Sequence, residues 1–334
     1  MQPSFVIAGR FQREYILPAA GAPLLDVPGG DLLYAAAGLA VWEKEIGLLS
    51  RVGEDLPRQW LKDLEALGFN TGGIRILPGS FDMRYFIAYT DFEHGSEASP
   101  VQHFARREMT FPKALLGYQP PTETKPGVKK PDPLLPGVSD IPREYLDARA
   151  VHICPMDFTT QSQLAAAFRG GTVATISLDP ARATMNPRLM RDLRLLLQGI
   201  TIFLPSEGEL RALFWGETHD LWEMVEAVAA YGCEIIIVKR GAQGPLVYDG
   251  GAKRRWEIPA YDSRRVDPTG AGSAFAGGCL AGFQKAFDPL EAALRGSVSA
   301  SLKLEGSGAL YPLEVLPGLA EARYQAIADM IREV

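Results

Sequence analysis

Three cysteines in 334 residues, Cys154, Cys233 and Cys279, are too few, odd in number and too widely spaced for a disulfide framework or a paired zinc-ligand motif. They fit a reducing compartment, the cytoplasm. Positive charge is also short: 34 Lys and Arg against 40 Asp and Glu leave a formal net charge of −6, and no basic block forms a nucleic-acid tail. Histidine is scarce, and His94, His103, His152 and His219 lack metal-ligand spacing. Long apolar runs are missing too. Ala271 to Phe283, the longest weakly polar stretch, is too short and too rich in glycine to span a bilayer. The opening MQPSFVIAGR lacks a basic then apolar leader and reads as a short buried strand. The expectation is a soluble protein without nucleic-acid or membrane partners.

What is present is alternation. Ser4–Gly9 reads as a strand and Asp31–Glu45 as a helix; Ile46–Val52 reads as the next strand, and Asp55 with Pro57 starts a helix carrying Trp60, Leu61, Leu64 and Leu67 on one face. Ile74–Leu77 and Arg84–Thr90 read as two strands with no helix between them, a hairpin or small-sheet element. Pro112 to Pro142 is dense in proline and cannot supply ladder donors regularly, so an extended surface insertion over about 112–142 is expected. Strand-like runs return at Ala150–Cys154, Val173–Leu178, Ile200–Leu204 and Glu234–Val238, separated by helical patterns such as Pro187–Gln198 and Leu221–Tyr231. This rhythm predicts a mainly parallel sheet covered on both faces within one domain, 1–334.

Parallel sheets bind ligands where strand ends lead into helix N-termini. The stretch VDPTGAGSAF at 266–275 fits that place. Gly270, Ala271 and Gly272 remove bulk from a first helical turn, so that a phosphate can approach bare N–H groups at the positive end of the helix dipole. Tight helix packing would explain the same glycines. Phe275 stands at the third glycine site of G-x-G-x-x-G, and no Gly-Lys-Ser/Thr ending follows, which disfavours dinucleotide and P-loop sites.

The stretch resembles the second signature of the ribokinase-like, or PfkB, family of sugar and nucleoside kinases, close to Asp-x-Thr-Gly-Ala-Gly-Asp-x-Phe. ProGlyGly at 28–30, ArgValGlyGluAsp at 51–55, GlyPheAsnThrGlyGlyIle at 68–74, ProSerGluGlyGlu at 205–209 and LysArgGlyAlaGlnGly at 239–244 follow the family's order. The resemblance implies a three-layer αβα sandwich with a small β-sheet lid, built from about 10–22 and 74–110, and a homodimer through that lid. It implies ATP-dependent phosphotransfer, with Mg²⁺ and a monovalent cation such as K⁺, to a hydroxyl of a sugar or nucleoside-like molecule. Gly270, Ala271 and Gly272 would stabilise the transferring phosphoryl group, with Thr269 on the nucleotide side, and the next residue would be the acidic base. That residue is Ser273 here, and a serine hydroxyl is a poor base near neutral pH. Two readings stay open: an active kinase with a relocated or dispensable base, Asp267 being nearest in sequence, or a noncatalytic nucleotide- or sugar-binding regulatory homologue. A sequence change is a third.

The remaining site residues also follow from the resemblance. Glu209 would organise Mg²⁺, although Ser206 and Glu209 equally have capping-box spacing. Lys239 would reach an ATP phosphate or end its strand in solvent, and Gly241 and Gly244 would let the nucleotide approach the turn. Asp267, with backbone near Gly306, Ser307 and Gly308, would hold the monovalent ion. Glu14, Gly29, Gly30 and Tyr34 would face the acceptor, Glu14 and Tyr34 standing where the family commonly has Asp and Asn, and Arg10, Arg13 and Arg84 would suit an anionic acceptor or lie exposed on the lid.

Overall fold

A computed structural model of the chain describes residues 2–120 and 132–333. Its strands are β1 (Phe5–Ala8), β2 (Gln12–Leu17), β3 (Leu24–Gly29), β4 (Ile46–Gly53), β5 (Asn70–Leu77), β6 (Arg84–Tyr89), β7 (Gly95–Ser96), β8 (Ala150–Ile153), β9 (Thr175–Leu178), β10 (Ile202–Phe203), β11 (Ile235–Val238), β12 (Leu246–Asp249), β13 (Arg254–Glu257) and β14 (Arg332–Glu333). The helices are α1 (Asp31–Ala40), α2 (Arg58–Ala66), α3 (Pro100–Arg106), α4 (Phe158–Arg169), α5 (Met190–Leu197), α6 (Glu207–Leu213), α7 (Leu221–Ala229), α8 (Ala271–Ala286), α9 (Pro289–Leu304) and α10 (Leu319–Ala328).

Ten strands form one sheet in the order β14-β13-β12-β11-β10-β9-β8-β1-β4-β5, parallel from β11 through β5 and antiparallel at the β12–β14 edge. Successive side chains of a strand face opposite ways, and β1 divides accordingly. Val6 and Ala8 join the core under α4 to α7, while Phe5 and Ile7 join the core under α1 and α2. A third core packs β10 to β13 against α8 to α10. Both faces are covered, giving the expected αβα layers. Among the described residues no helix is long and apolar enough to cross a membrane. All three cysteines are buried free thiols.

A second sheet, β3-β2-β6-β7, forms the lid. Two expectations change here. Ile74–Leu77 does not pair with Arg84–Thr90: β5 extends the main sheet beside β4, while β6 pairs in parallel with β2 in the lid. The lid also takes in Leu24–Gly29, which pairs antiparallel with β2. The proline-rich segment is not simply a surface excursion. Residues 121–131 lie outside the described residues, but Leu115, Tyr118, Leu134 and Leu135 on its flanks are buried, and Asp140 holds Arg51 and Arg75 at 2.5 and 2.8 Å.

Helix α8 is tightly clasped. A Cβ on Gly277 would lie 1.9 Å from the Ala35 carbonyl oxygen, and one on Gly38 would lie 2.1 Å from that of Ala274. The backbones of α1 and α8 therefore touch, which fixes the starts of both helices relative to each other.

Candidate active site

Gly270 caps α8 at φ 72°, a conformation that a Cβ resists, and a Cβ there would also strike the Tyr34 ring at 2.1 Å. No side chain caps this helix. The first N–H groups of a helix have no intrahelical partner; here Ala271 N–H donates to the Pro268 carbonyl oxygen at 3.2 Å, and Gly272 and Ser273 N–H remain as bare donors at the positive end of the dipole among the described residues. Ala271 and Gly272 open into a cleft of about 850 Å³. Lys239, Gly241, Gly244 and Pro268 line it too, with Ser297 and Ser301 of α9 opposite and Phe92 of the lid above.

Ser273 lies on the other side of the tip. Its hydroxyl donates to Asp31 Oδ1 at 2.9 Å, across 242 positions of sequence. Asp31 is the first residue of α1 and half-buried. Its pKa is raised by burial, against which the Ser273 hydrogen bond, Lys239 and Arg10 act. The Asp31 side chain has no other hydrogen bond among the described residues, which leaves Oδ2 without a protein partner. The family signature pointed to position 273 but gave no sign of this partner.

Lys239 meets Asp179 at 2.5 Å, just after β9. Burial opposes the lysine's charge, but Asp179, Glu209 and Asp31 outweigh it and raise the pKa. Burial pushes Asp179 up to about 7, with Lys239 pulling the other way. Asp179 was not foreseen; an Asp directly after a buried parallel strand was the available signal. Glu209 does form the capping box, its Oε2 accepting from Ser206 N at 2.7 Å while Ser206 Oγ accepts from Glu209 N at 3.3 Å. Its charge still acts on Lys239, Asp179 and Asp31, so the capping and electrostatic roles coexist.

Other expected site residues are turned inward. Glu14 is 1% exposed; Oε1 accepts from Gly30 N at 2.8 Å and Oε2 from the Tyr34 hydroxyl at 2.7 Å. Gly29 leaves room for this carboxylate, where a Cβ would lie 2.0 Å from it. Glu14 and Tyr34 thus tie the lid to α1 instead of facing an acceptor. Thr269 is also buried, and its N–H and hydroxyl donate to Asp267 Oδ1 at 2.9 and 2.6 Å. Arg10 pairs with Asp132, Arg13 with Asp26 and Arg84 with Asp82, so each arginine already has an anion.

The two expected metal ligands belong to different ions, Glu209 to Mg²⁺ and Asp267 to a monovalent cation. Asp267 is fully buried, with Lys303 Nζ 3.7 Å from its Oδ2, 3.3 Å from its carbonyl oxygen and 2.7 Å from the Gly306 carbonyl oxygen. The ammonium stops short of a hydrogen bond to the carboxylate, and Asp267 Oδ2 and the Ser307 hydroxyl, both at the place expected for a monovalent ion, are buried without a hydrogen-bond partner among the described residues. No group of three or more His, Cys, Asp or Glu residues that could hold a metal ion occurs among the described residues. Glu209 and Asp179 do fit Mg²⁺ bound largely by water and nucleotide phosphates, the usual arrangement for that ion.

Comparison with known proteins agrees with this geometry. The chain is 29% identical over 271 residues to a cytidine kinase of Thermococcus kodakarensis, covering 81% of this chain and 85% of that kinase. It is 28% identical over 258 residues to an ATP-dependent ribose-1-phosphate kinase of Halopiger xanaduensis, covering 76% of this chain and 72% of that one. Among solved structures, a fructokinase of Vibrio cholerae with fructose, ADP and potassium bound superposes with a TM-score of 0.70, at 19% identity and 98% coverage of both chains. A nucleoside kinase of Burkholderia thailandensis with inosine does so at 0.67, with 18% identity and coverage of 97% of this chain and 98% of that one. The model of the pfkB family carbohydrate kinases matches residues 145–316, just over half the sequence, and the chain belongs to that family.

Proposed function

We propose that the chain transfers the γ-phosphoryl group of ATP to a hydroxyl of a small sugar or nucleoside-like molecule. The observation that carries this reading is the uncapped start of α8, open to the cleft at Ala271 and Gly272 and adjoined by the Asp31 carboxylate at Ser273. Phosphoryl transfer depends mostly on positioning and on fixed charges aimed at the moving group. Bare N–H donors supply that field. Lys239 adds a compact positive charge on the nucleotide side, and Gly241 and Gly244 line the cleft without adding side chains of their own. Mg²⁺, held through Glu209 and Asp179 with water, would neutralise phosphate charge.

Cytidine and ribose 1-phosphate, from the names of the two related kinases, and fructose, bound in the similar fructokinase structure, define the panel to test. ADP release should rise above the ATP-only rate with at least one member, and mass spectrometry should detect its phosphorylated product. ADP binding by calorimetry with no product across the panel would support the noncatalytic regulatory reading instead.

A further inference from the structure

We propose that Asp31 is the general base for the acceptor hydroxyl, a position rebuilt across the fold from the one Ser273 has vacated. This rests on the phosphotransfer reading above. Ser273 holds Oδ1 at 2.9 Å, and Oδ2 has no protein partner among the described residues. Asp31 also begins a helix whose backbone touches that of α8, so its carboxylate is held beside the anion-binding tip. The hydroxyl of Ser273 orients it. In the step, the acceptor O–H gives its proton to Asp31 as the acceptor oxygen bonds to the γ-phosphorus. The bond from that phosphorus to the β–γ bridging oxygen breaks, ADP leaves with both electrons, and Asp31 returns the proton to water. Asp267, nearer in sequence, is fully buried and occupied by Thr269 and Lys303.

The test compares the full chain with Asp31→Asn and with the double variant Asp31→Asn/Ser273→Asp, using the panel member that releases most ADP. Asp31→Asn keeps the volume and an acceptor oxygen for Ser273. It should lower kcat about 10²- to 10⁴-fold, the usual span for a lost base. Its melting temperature and ADP affinity should stay within twofold of wild type in binding terms. The double variant should regain at least tenfold. A merely hydroxyl-binding Asp31 would raise KM and leave kcat, and that result overturns the proposal. So does an unchanged Asp31→Asn. If wild type binds ADP but phosphorylates nothing, the functional reading fails first and this one falls with it.

Discussion

At the scale of single residues, burial sets the chemistry. Glu14 is sealed between lid and α1, and desolvation pushes its pKa up to about 7 although Tyr34 and Gly30 both donate to it. A carboxyl that binds its proton more tightly folded than unfolded stabilises the fold at low pH and loses that contribution as pH rises. Its share is complete below the ordinary value of 4.5 and is gone above about 7. Glu14→Gln should therefore flatten the fall in stability between those limits, read from urea denaturation at several pH values. Asp179, also raised to about 7, leaves part of the slope in place. Gly270→Ala is a harsher change, because the new methyl meets the Tyr34 ring in a backbone conformation that alanine resists. A loss of about 2 kcal/mol is expected, visible as a lower melting temperature. The sequence disclosed Ser273 as an anomaly, but not Asp31, because nothing in a linear pattern ties residues 242 positions apart.

Among the elements, period and punctuation made most of the central sheet legible. Strands β1, β8, β9, β10 and β11 fall within their expected runs, and β4 runs one residue past its own to Gly53, because they are short apolar segments buried on both sides. The sheet to which a strand belongs was less legible. β5 and β6 both read as strands, yet only long-range pairing sends one to the main sheet and the other to the lid. The edge strands β12 and β13 went unread, since Arg254 and Arg255 interrupt the apolar signal beside Trp256. In α8 the small residues serve close packing as well as the tip, so both readings of the glycine-rich stretch hold. Gly277→Val should force α8 from α1, with a cost of about 3 kcal/mol in urea denaturation. Because that shift would also part Ser273 from Asp31, ADP release should fall more than ADP affinity.

For the whole molecule, the proline-rich segment and the lid are one assembly. Tyr15 and Leu17 of β2 and Phe86 and Ala88 of β6 make an apolar outer face, and Phe104, Leu115 and Tyr118 cover it. The chain itself thus covers this face of the lid. Light scattering should return the mass of one chain, 36.4 kDa, where the resemblance implied a pair. The far flank is secured by Asp140, whose buried carboxylate is held below the ordinary range: burial opposes this, but Gly137 N–H, Arg51 and Arg75 prevail. Asp140→Ala strands two guanidinium groups and should lower stability by about 2 kcal/mol, checked by thermal melting. Proline density alone gave no hint that this stretch is sewn to both layers.

The backbone seam between α1 and α8 has a mechanical consequence. Asp31 and Ser273 start helices that meet glycine to carbonyl, so they travel as a single rigid part. Any displacement of the surrounding elements would then leave the Asp31 carboxylate aligned with the phosphate cradle, because the two would shift in step.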